Sequence, residues 1–146
     1  VPMFSKTCEY AIRAMIFIAQ RSRDGDKVGI REIAAGIDSP EHFIAKILQD
    51  LGRKGLVQSA KGPNGGFYLD RAGRDCSLSK IVRSIDGDQL FSGCGLGLKQ
   101  CSETHPCPIH QQFGKIRHQI SQMLDNARIG EFTDQLAEQQ LFLRRK

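Results

Sequence analysis

Residues 39–69 read Ser39-Pro40-Glu41-His42-Phe43-Ile44-Ala45-Lys46-Ile47-Leu48-Gln49-Asp50-Leu51-Gly52-Arg53-Lys54-Gly55-Leu56-Val57-Gln58-Ser59-Ala60-Lys61-Gly62-Pro63-Asn64-Gly65-Gly66-Phe67-Tyr68-Leu69. Two periodicities meet in this stretch. Ser39 as N-cap, Pro40 in the first helical position and Glu41 in the first turn start a helix. Phe43, Ile44, Ile47, Leu48 and Leu51 then recur at helical spacing, and Gly55 stands where a helix ends in C′. The pattern changes to strand over 56–60, to a tight turn over 61–66, and to a returning strand over 67–69. A capped helix followed at once by a basic hairpin is the second half of a winged helix-turn-helix.

The first half lies upstream. Ser5 caps a helix over 6–20, whose Tyr10, Ala11, Ala14, Met15, Phe17 and Ile18 form a wide apolar stripe. A polar loop leads to a short helix over 30–35 that Gly36 is expected to stop. Downstream, Ser77 caps a helix over 77–85. Residues 87–106 show no period and carry Gly93, Gly95 and Gly97. A long helix over 108–126 follows, with Phe113, Ile116, Ile120, Met123 and Leu124 on one stripe. Gly130 breaks it before a last amphipathic segment, 131–143. The expected fold is mainly α with a small β-hairpin wing. It comprises a winged helix-turn-helix over 3–86, a cysteine-rich loop over 87–107, and a dimerisation helix with a C-terminal segment over 108–143. Pairing through Ile116, Ile120, Met123 and Leu124 would bury a stripe that a monomer leaves exposed.

The composition agrees with a soluble domain: 146 residues, 40% hydrophobic and 25% charged. The longest apolar run, residues 14–19, is six residues, against the roughly 20 that a membrane span needs. No charged start is followed by a continuous apolar stretch, so no secretory leader is read. A cytoplasmic location is expected, with no membrane association. The net charge is +5. Arg53, Lys54, Lys61, Arg71 and Arg74 stand against Asp70 alone over residues 53–74, the footprint of an anionic partner or a solvated face.

In a helix-turn-helix the second helix enters a major groove and offers its first turns to base edges. Glu41, His42, Ala45 and Lys46 occupy those positions here. The wing offers Lys61 and the backbone of Gly62, Asn64 and Gly65 to phosphates, contacts that give position more than sequence. Lys54, in the last turn of its helix, is a further phosphate contact or a partner of the helix dipole only. A winged-helix module that binds a protein in place of DNA is the bland alternative.

The chain has five cysteines. Cys94-x6-Cys101-x5-Cys107-x2-His110 puts three thiols and an imidazole within 17 residues. Structural zinc sites pair their ligands in short C-x2-C or C-x4-C loops, which this is not. Glycine-rich spacers let a chain fold around something larger than one ion, such as an iron–sulfur cluster. Cys107, ahead of Pro108, is expected to cap the long helix, where the dipole favours a thiolate. Cys8 and Cys76 read as small buried hydrophobes; His105 and His118 read as solvated. Gly93 to Lys99 resembles a phosphate loop only superficially, because the GK[ST] ending is absent. No nucleophile–base or paired-carboxylate arrangement stands out, so no enzyme is read.

These motifs together resemble the Rrf-two family of regulators, which includes IscR, NsrR and CymR. The resemblance runs over residues 3–136. It is carried by Glu9-Tyr10-Ala11-Ile12-Arg13-Ala14-Met15, by Ser39-Pro40-Glu41 leading into Lys46-Ile47-Leu48, by Gly55-Leu56-Val57, by Lys61-Gly62-Pro63-Asn64-Gly65-Gly66-Phe67-Tyr68-Leu69, and by the cysteine trio. It implies a homodimer that represses or activates at near-palindromic double-stranded DNA and carries a 2Fe–2S or 4Fe–4S cluster. The cluster would report iron–sulfur supply, nitric oxide or redox status. Cys94, Cys101 and Cys107 match the family's cluster thiolates, with the first spacing one residue longer than in IscR-like sequences. His110 occupies the fourth-ligand position of IscR-like proteins. Glu9 occupies the first-helix position from which NsrR-like members supply a carboxylate across the dimer. Imidazole is the softer donor, which favours His110. The alternative function is a cluster-free regulator or adaptor whose thiols sense oxidants directly, Cys107 first.

Overall fold

Helix α1 (Lys6–Arg21) is the hub of the computed structural model, which describes residues 3–23, 25–133 and 143–144. The Ser5 hydroxyl accepts from the Cys8 amide at 3.1 Å and caps it as expected. Its apolar residues are more than one stripe: Tyr10, Ala11, Ile12, Ala14, Met15, Ile16, Ile18 and Ala19 are all buried. Elements therefore pack on several sides of it, namely α2 (Ile30–Ile37), α3 (Glu41–Arg53), α5 (Leu78–Asp86) and a 3-10 turn, Ile129–Phe132. At its C-terminus, Arg74 donates to the Ala19 carbonyl at 3.0 Å and to Ser22 Oγ at 3.3 Å. A cation there complements the helix dipole.

Helix α2 runs through Gly36 and closes at Asp38, which is left-handed at φ 58°. Gly36 is therefore no stop. An ideal Cβ on it would lie 2.1 Å from Phe17 Cε2, so glycine answers the close approach of the α1 ring. Helix α3 starts one residue later than read. Pro40 at ψ 138° is still extended and forms the N-cap, while the Ser39 hydroxyl donates to the Pro40 carbonyl. Proline fixes φ but leaves ψ free, so Pro40 need not be helical. Gly55, at φ 77°, takes the expected C′ place.

Strands β1 (Gln58–Ala60) and β2 (Gly66–Tyr68) pair antiparallel, Ser59 facing Phe67. The first is shorter than expected because Leu56 and Val57 are already buried in the core. Val28 exchanges two 2.8 Å backbone bonds with Phe67, which gives β2 a partner on its other edge. A single paired residue has no periodicity, so the sequence reading missed it.

Helix α4 (Arg71–Arg74) is capped by Asp70, and α5 by Ser77, which accepts from the Lys80 amide at 3.2 Å. Residues 89–92 form α6 (Gln89–Ser92) inside the stretch read as irregular; four residues are too few to show a period. Helix α7 (His110–Asn126) starts two residues later than expected, with Ile109 as N-cap. Cys107 therefore precedes the helix and does not cap it. Leu124 is 1% exposed and belongs to the chain's own core, and Ile120 packs half-buried against it. The supposed pairing stripe is thus divided, because α7 packs on α5 and α6. Ile116 and Met123 stay exposed at 54% and 53%. The end of α7 is fastened by Leu78 N–H to Ala127 O and Ile129 N–H to Cys76 O, both 3.0 Å, and by the Ser79 hydroxyl on the Asp125 carboxylate. Gly130 lies in the 3-10 turn, and most of segment 131–143 falls outside the described residues. Among the described residues no helix is long and apolar enough to cross a membrane.

Candidate functional site

The loop between α6 and α7 folds its three cysteines together. Their sulfurs all lie within 4.8 Å of one another, Cys94 and Cys107 at 3.7 Å. The loop is built from local turns: Gly97 N–H bonds to Cys94 O at 3.0 Å, Ser102 and His105 exchange two 3.2 Å backbone bonds, and His110 N–H bonds to Cys107 O at 3.1 Å. Gly97, at φ 76°, makes the bend after Cys94 that an ordinary residue resists. The last of these turns aims the His110 ring inward. Its Nδ1 is 3.2 Å from Cys101 Sγ and its Nε2 is 3.4 Å from Glu103 Oε1.

The thiols are not equivalent. The amides of Leu98 and Leu96 point at the Cys94 sulfur, Leu96 N at 3.4 Å, and its pKa is pushed down to about 7. For Cys101 the Cys107 amide pulls downward, but partial burial and the neighbouring Cys107 and Cys94 thiols outweigh it and raise the pKa. The loop thus holds Cys94 toward the thiolate through two of its own amides. Three sulfurs and an imidazole form a soft donor set suited to a thiophilic metal or an iron–sulfur cluster. Glu9 sits half-buried on α1 and is not in this group. Cys8 and Cys76 are buried elsewhere, as expected. Burial, then the Asp86 charge, pushes the Cys8 thiol up to about 12. His105 and His118 are exposed.

On the opposite part of the chain, α3 leaves Glu41, His42 and Lys46 exposed, while Phe43 turns in to meet Tyr10 edge-to-face at 5.2 Å. Ala45 is half-buried and lines a cavity of about 640 Å³ between α3 and the hairpin, with Ile30, Lys46, Gln49, Ser59 and Phe67. Lys61, Gly62 and Asn64 are exposed at the wing tip and Gly65 is half-buried. The turn needs its glycines: Gly62 has φ 104°, and a Cβ on Gly65 would lie 2.2 Å from the Ala60 carbonyl oxygen. The basic excess is partly spent inside the chain. Lys54 donates to the Ser84 carbonyl and sits 3.1 Å from Asp50, Arg53 is 3.4 Å from Asp50, and Arg74 caps α1. Among the described residues, Lys46, Lys61 and Arg71 have no ionic partner. Two residues went unread in the sequence. Glu103 faces His110 from seven positions away in an aperiodic loop, and Gln49 joins the α3 cavity from a polar position without distinguishing context.

The profile of the Rrf2 family, described as an iron-dependent transcriptional regulator, matches residues 4–135. The chain belongs to the Rrf2 family. Among its Rrf2 relatives, a proposed HTH-type transcriptional regulator of Aquifex aeolicus is 30% identical over 142 residues, 96% of each chain. The HTH-type transcriptional regulator IscR of Photobacterium profundum is 27% identical over 122 residues, covering 84% of this chain and 70% of that one. The fold of CymR, the global cysteine regulator of B. subtilis, superposes with a TM-score of 0.74 at 20% identity, over 90% of this chain and 95% of that one. The helical fold with its two-stranded wing is thus that of the Rrf2 winged-helix regulators, as the sequence led one to expect. The relatives are transcriptional regulators, a family that is not enzymatic.

Proposed function

We propose that this Rrf2 protein binds near-palindromic double-stranded DNA as a homodimer in the cytoplasm. Its affinity would depend on an iron–sulfur cluster held by Cys94, Cys101 and Cys107. The observation that carries this reading is the convergence of the three sulfurs within 4.8 Å beside His110. His110 is the fourth ligand in this account, since its Nδ1 already faces Cys101; Glu9 supplied across the dimer is the alternative. Three thiolates and one further donor suit a 2Fe–2S or a 4Fe–4S cluster. When bound, the cluster would supply one-electron redox chemistry and iron that nitric oxide can attack.

The chain's own residues do the rest. Glu41, His42, Ala45 and Lys46 face base edges, and Lys61 with the backbone of Gly62, Asn64 and Gly65 meets phosphates. In this reading Lys54, which donates to the Ser84 carbonyl of α5, serves the fold before the DNA. Residues 3–86 serve as the DNA-binding domain, 87–107 as the ligand loop and 108–143 as the pairing segment, with Ile116 and Met123 as its apolar contacts. Pairing spaces two α3 helices about one DNA turn apart. The test is selection from a random duplex pool with cluster-loaded and cluster-free chain. Near-palindromes bound with at least a tenfold difference between the two forms are expected. Equal affinities would remove the cluster control, and no enrichment would remove the DNA reading.

The 3.7 Å separation of Cys94 and Cys107 favours a second reading, in which a reversible disulfide between them is the signal and no cluster is used.

A further inference from the structure

We infer that Arg117 is the positioning residue of the thiol centre, holding the Gly93 carbonyl against α7 and so fixing the Cys94 sulfur beside that of Cys107. The inference rests on reading these thiols as the functional site. Cys107 needs no such help, because it directly precedes α7 and the His110 amide bonds to its carbonyl at 3.1 Å. Cys94 comes from the far end of the loop, sixteen positions before the start of α7. Something must bring it to the same place.

Phe113 and Arg117 lie four residues apart on one stripe of α7, and Ile109, its N-cap, stands four residues before Phe113. Each engages the backbone on one side of Cys94. Arg117 Nη1 donates to Gly93 O at 2.7 Å, a short charge-assisted bond. On the other side, an ideal Cβ on Gly95 would lie 2.9 Å from Ile109 Cδ1 and 3.0 Å from the Phe113 ring. The Arg117 guanidinium also lies 5.8 Å from the Phe113 ring centroid, which orients its fork. Gly93 is at the same time the C-cap of α6, its amide bonding to Gln89 O at 2.7 Å. Arg117 therefore locks the end of α6 and the start of the cysteine loop to one point on α7. Of the three anchors it is the one polar bond, and it is directional. A change at the thiols that moves Gly93 must move Arg117 with it, and Ile116, next to it in sequence, is one of the two exposed apolar residues of α7.

The test uses the full cluster-free chain without DNA, equilibrated in glutathione redox buffers. Two thiols lose two protons and two electrons to glutathione disulfide, giving the Cys94–Cys107 disulfide and two glutathione thiols. The equilibrium constant is then the effective concentration of one sulfur at the other. Peptide mass analysis after thiol blocking counts that bridge alone. Arg117→Met is expected to lower the constant about tenfold, the scale of a lost hydrogen bond to a charged group. Arg117→Lys, which still donates to a carbonyl, should recover most of it. A value for Arg117→Met within twofold of the unsubstituted chain overturns the inference. If Arg117→Met loses its helical circular dichroism, Arg117→Gln, too short to reach Gly93, decides by the same criterion. Iron uptake is scored separately. A chain with the tenfold fall and no iron keeps the role of Arg117 and loses the cluster reading, whereas iron uptake with an unchanged constant does the reverse.

Discussion

The Nδ1 atom of His110 stands 3.2 Å from the sulfur of Cys101, while its Nε2 faces the Glu103 carboxylate at 3.4 Å. A carboxylate on one ring nitrogen holds the proton there and frees the other nitrogen as a donor. This arrangement is why the proposal takes His110 before Glu9 as the fourth ligand. Outer-shell partners alone are worth about 10–100-fold in metal affinity. His110→Ala should therefore speed cluster loss more than about tenfold and alter the visible spectrum, while Glu9→Ala leaves both unchanged. Anaerobic absorption decay measures this. The opposite ranking would assign the ligand to α1.

Lys61 stands exposed at the wing tip without an ionic partner among the described residues. Lys61→Ala is expected to weaken binding to specific and nonspecific duplexes alike and to flatten the salt slope by about 0.9 for each Lys61 that meets a phosphate. His42→Ala or Lys46→Ala should instead change the preferred base at one position per half-site, with about 1–3 kcal/mol of discrimination lost. Fluorescence anisotropy across a salt series separates the two outcomes. A salt slope untouched by Lys61→Ala would mean that the wing does not contact the backbone.

Cys8 is fully buried, and burial with the nearby Asp86 charge raises its thiol to about 12. The folded state thus favours the neutral thiol. Its contribution to stability is fully present below the unfolded value near 9 and is lost as the pH rises through about 12. Urea unfolding between pH 8 and 10.5 should show a fall approaching ~1.4 kcal/mol per pH unit from this group at the upper end. Cys8→Ala should be less stable at pH 8 but fall less steeply. Parallel curves for the two proteins would count against the assignment.

The ring of Phe17 fills the space where a Gly36 side chain would stand. Gly36→Ala should therefore cost about 1 kcal/mol, an overpacking penalty of ~1–3 kcal/mol partly offset by better helix propensity. In a Phe17→Ala background the same change should become stabilising by up to ~1 kcal/mol. Denaturant unfolding of the four proteins checks the reversal of sign.

Gly36 also marks where sequence reading stops. Spacing and caps located α1, α3, α5, α7 and the hairpin, because Ser5, Ser77 and Gly55 act through neighbours a few residues away. The Gly36–Phe17 contact joins two elements, and a glycine with a tertiary partner is indistinguishable in sequence from a helix stop. The same holds for Val28 on β2 and for Leu124, whose apolar character says that it is buried but not against which surface. At the thiol centre the residues that come together, Cys94, Cys101, Cys107 and His110, were legible from their types and spacing. The ranking of the thiols was not. It depends on where the Leu96 and Leu98 amides point, and every residue but proline carries an amide.

An anaerobic absorption spectrum, with iron and acid-labile sulfide analysis of protein purified without oxygen, tests the central claim most directly. The account predicts visible bands with iron and sulfide in equal amounts, both lost when Cys94, Cys101 and Cys107 are replaced together by Ser. A colourless chain that also takes up no iron and sulfide on reconstitution would contradict it, and would leave the Cys94–Cys107 disulfide as the signal.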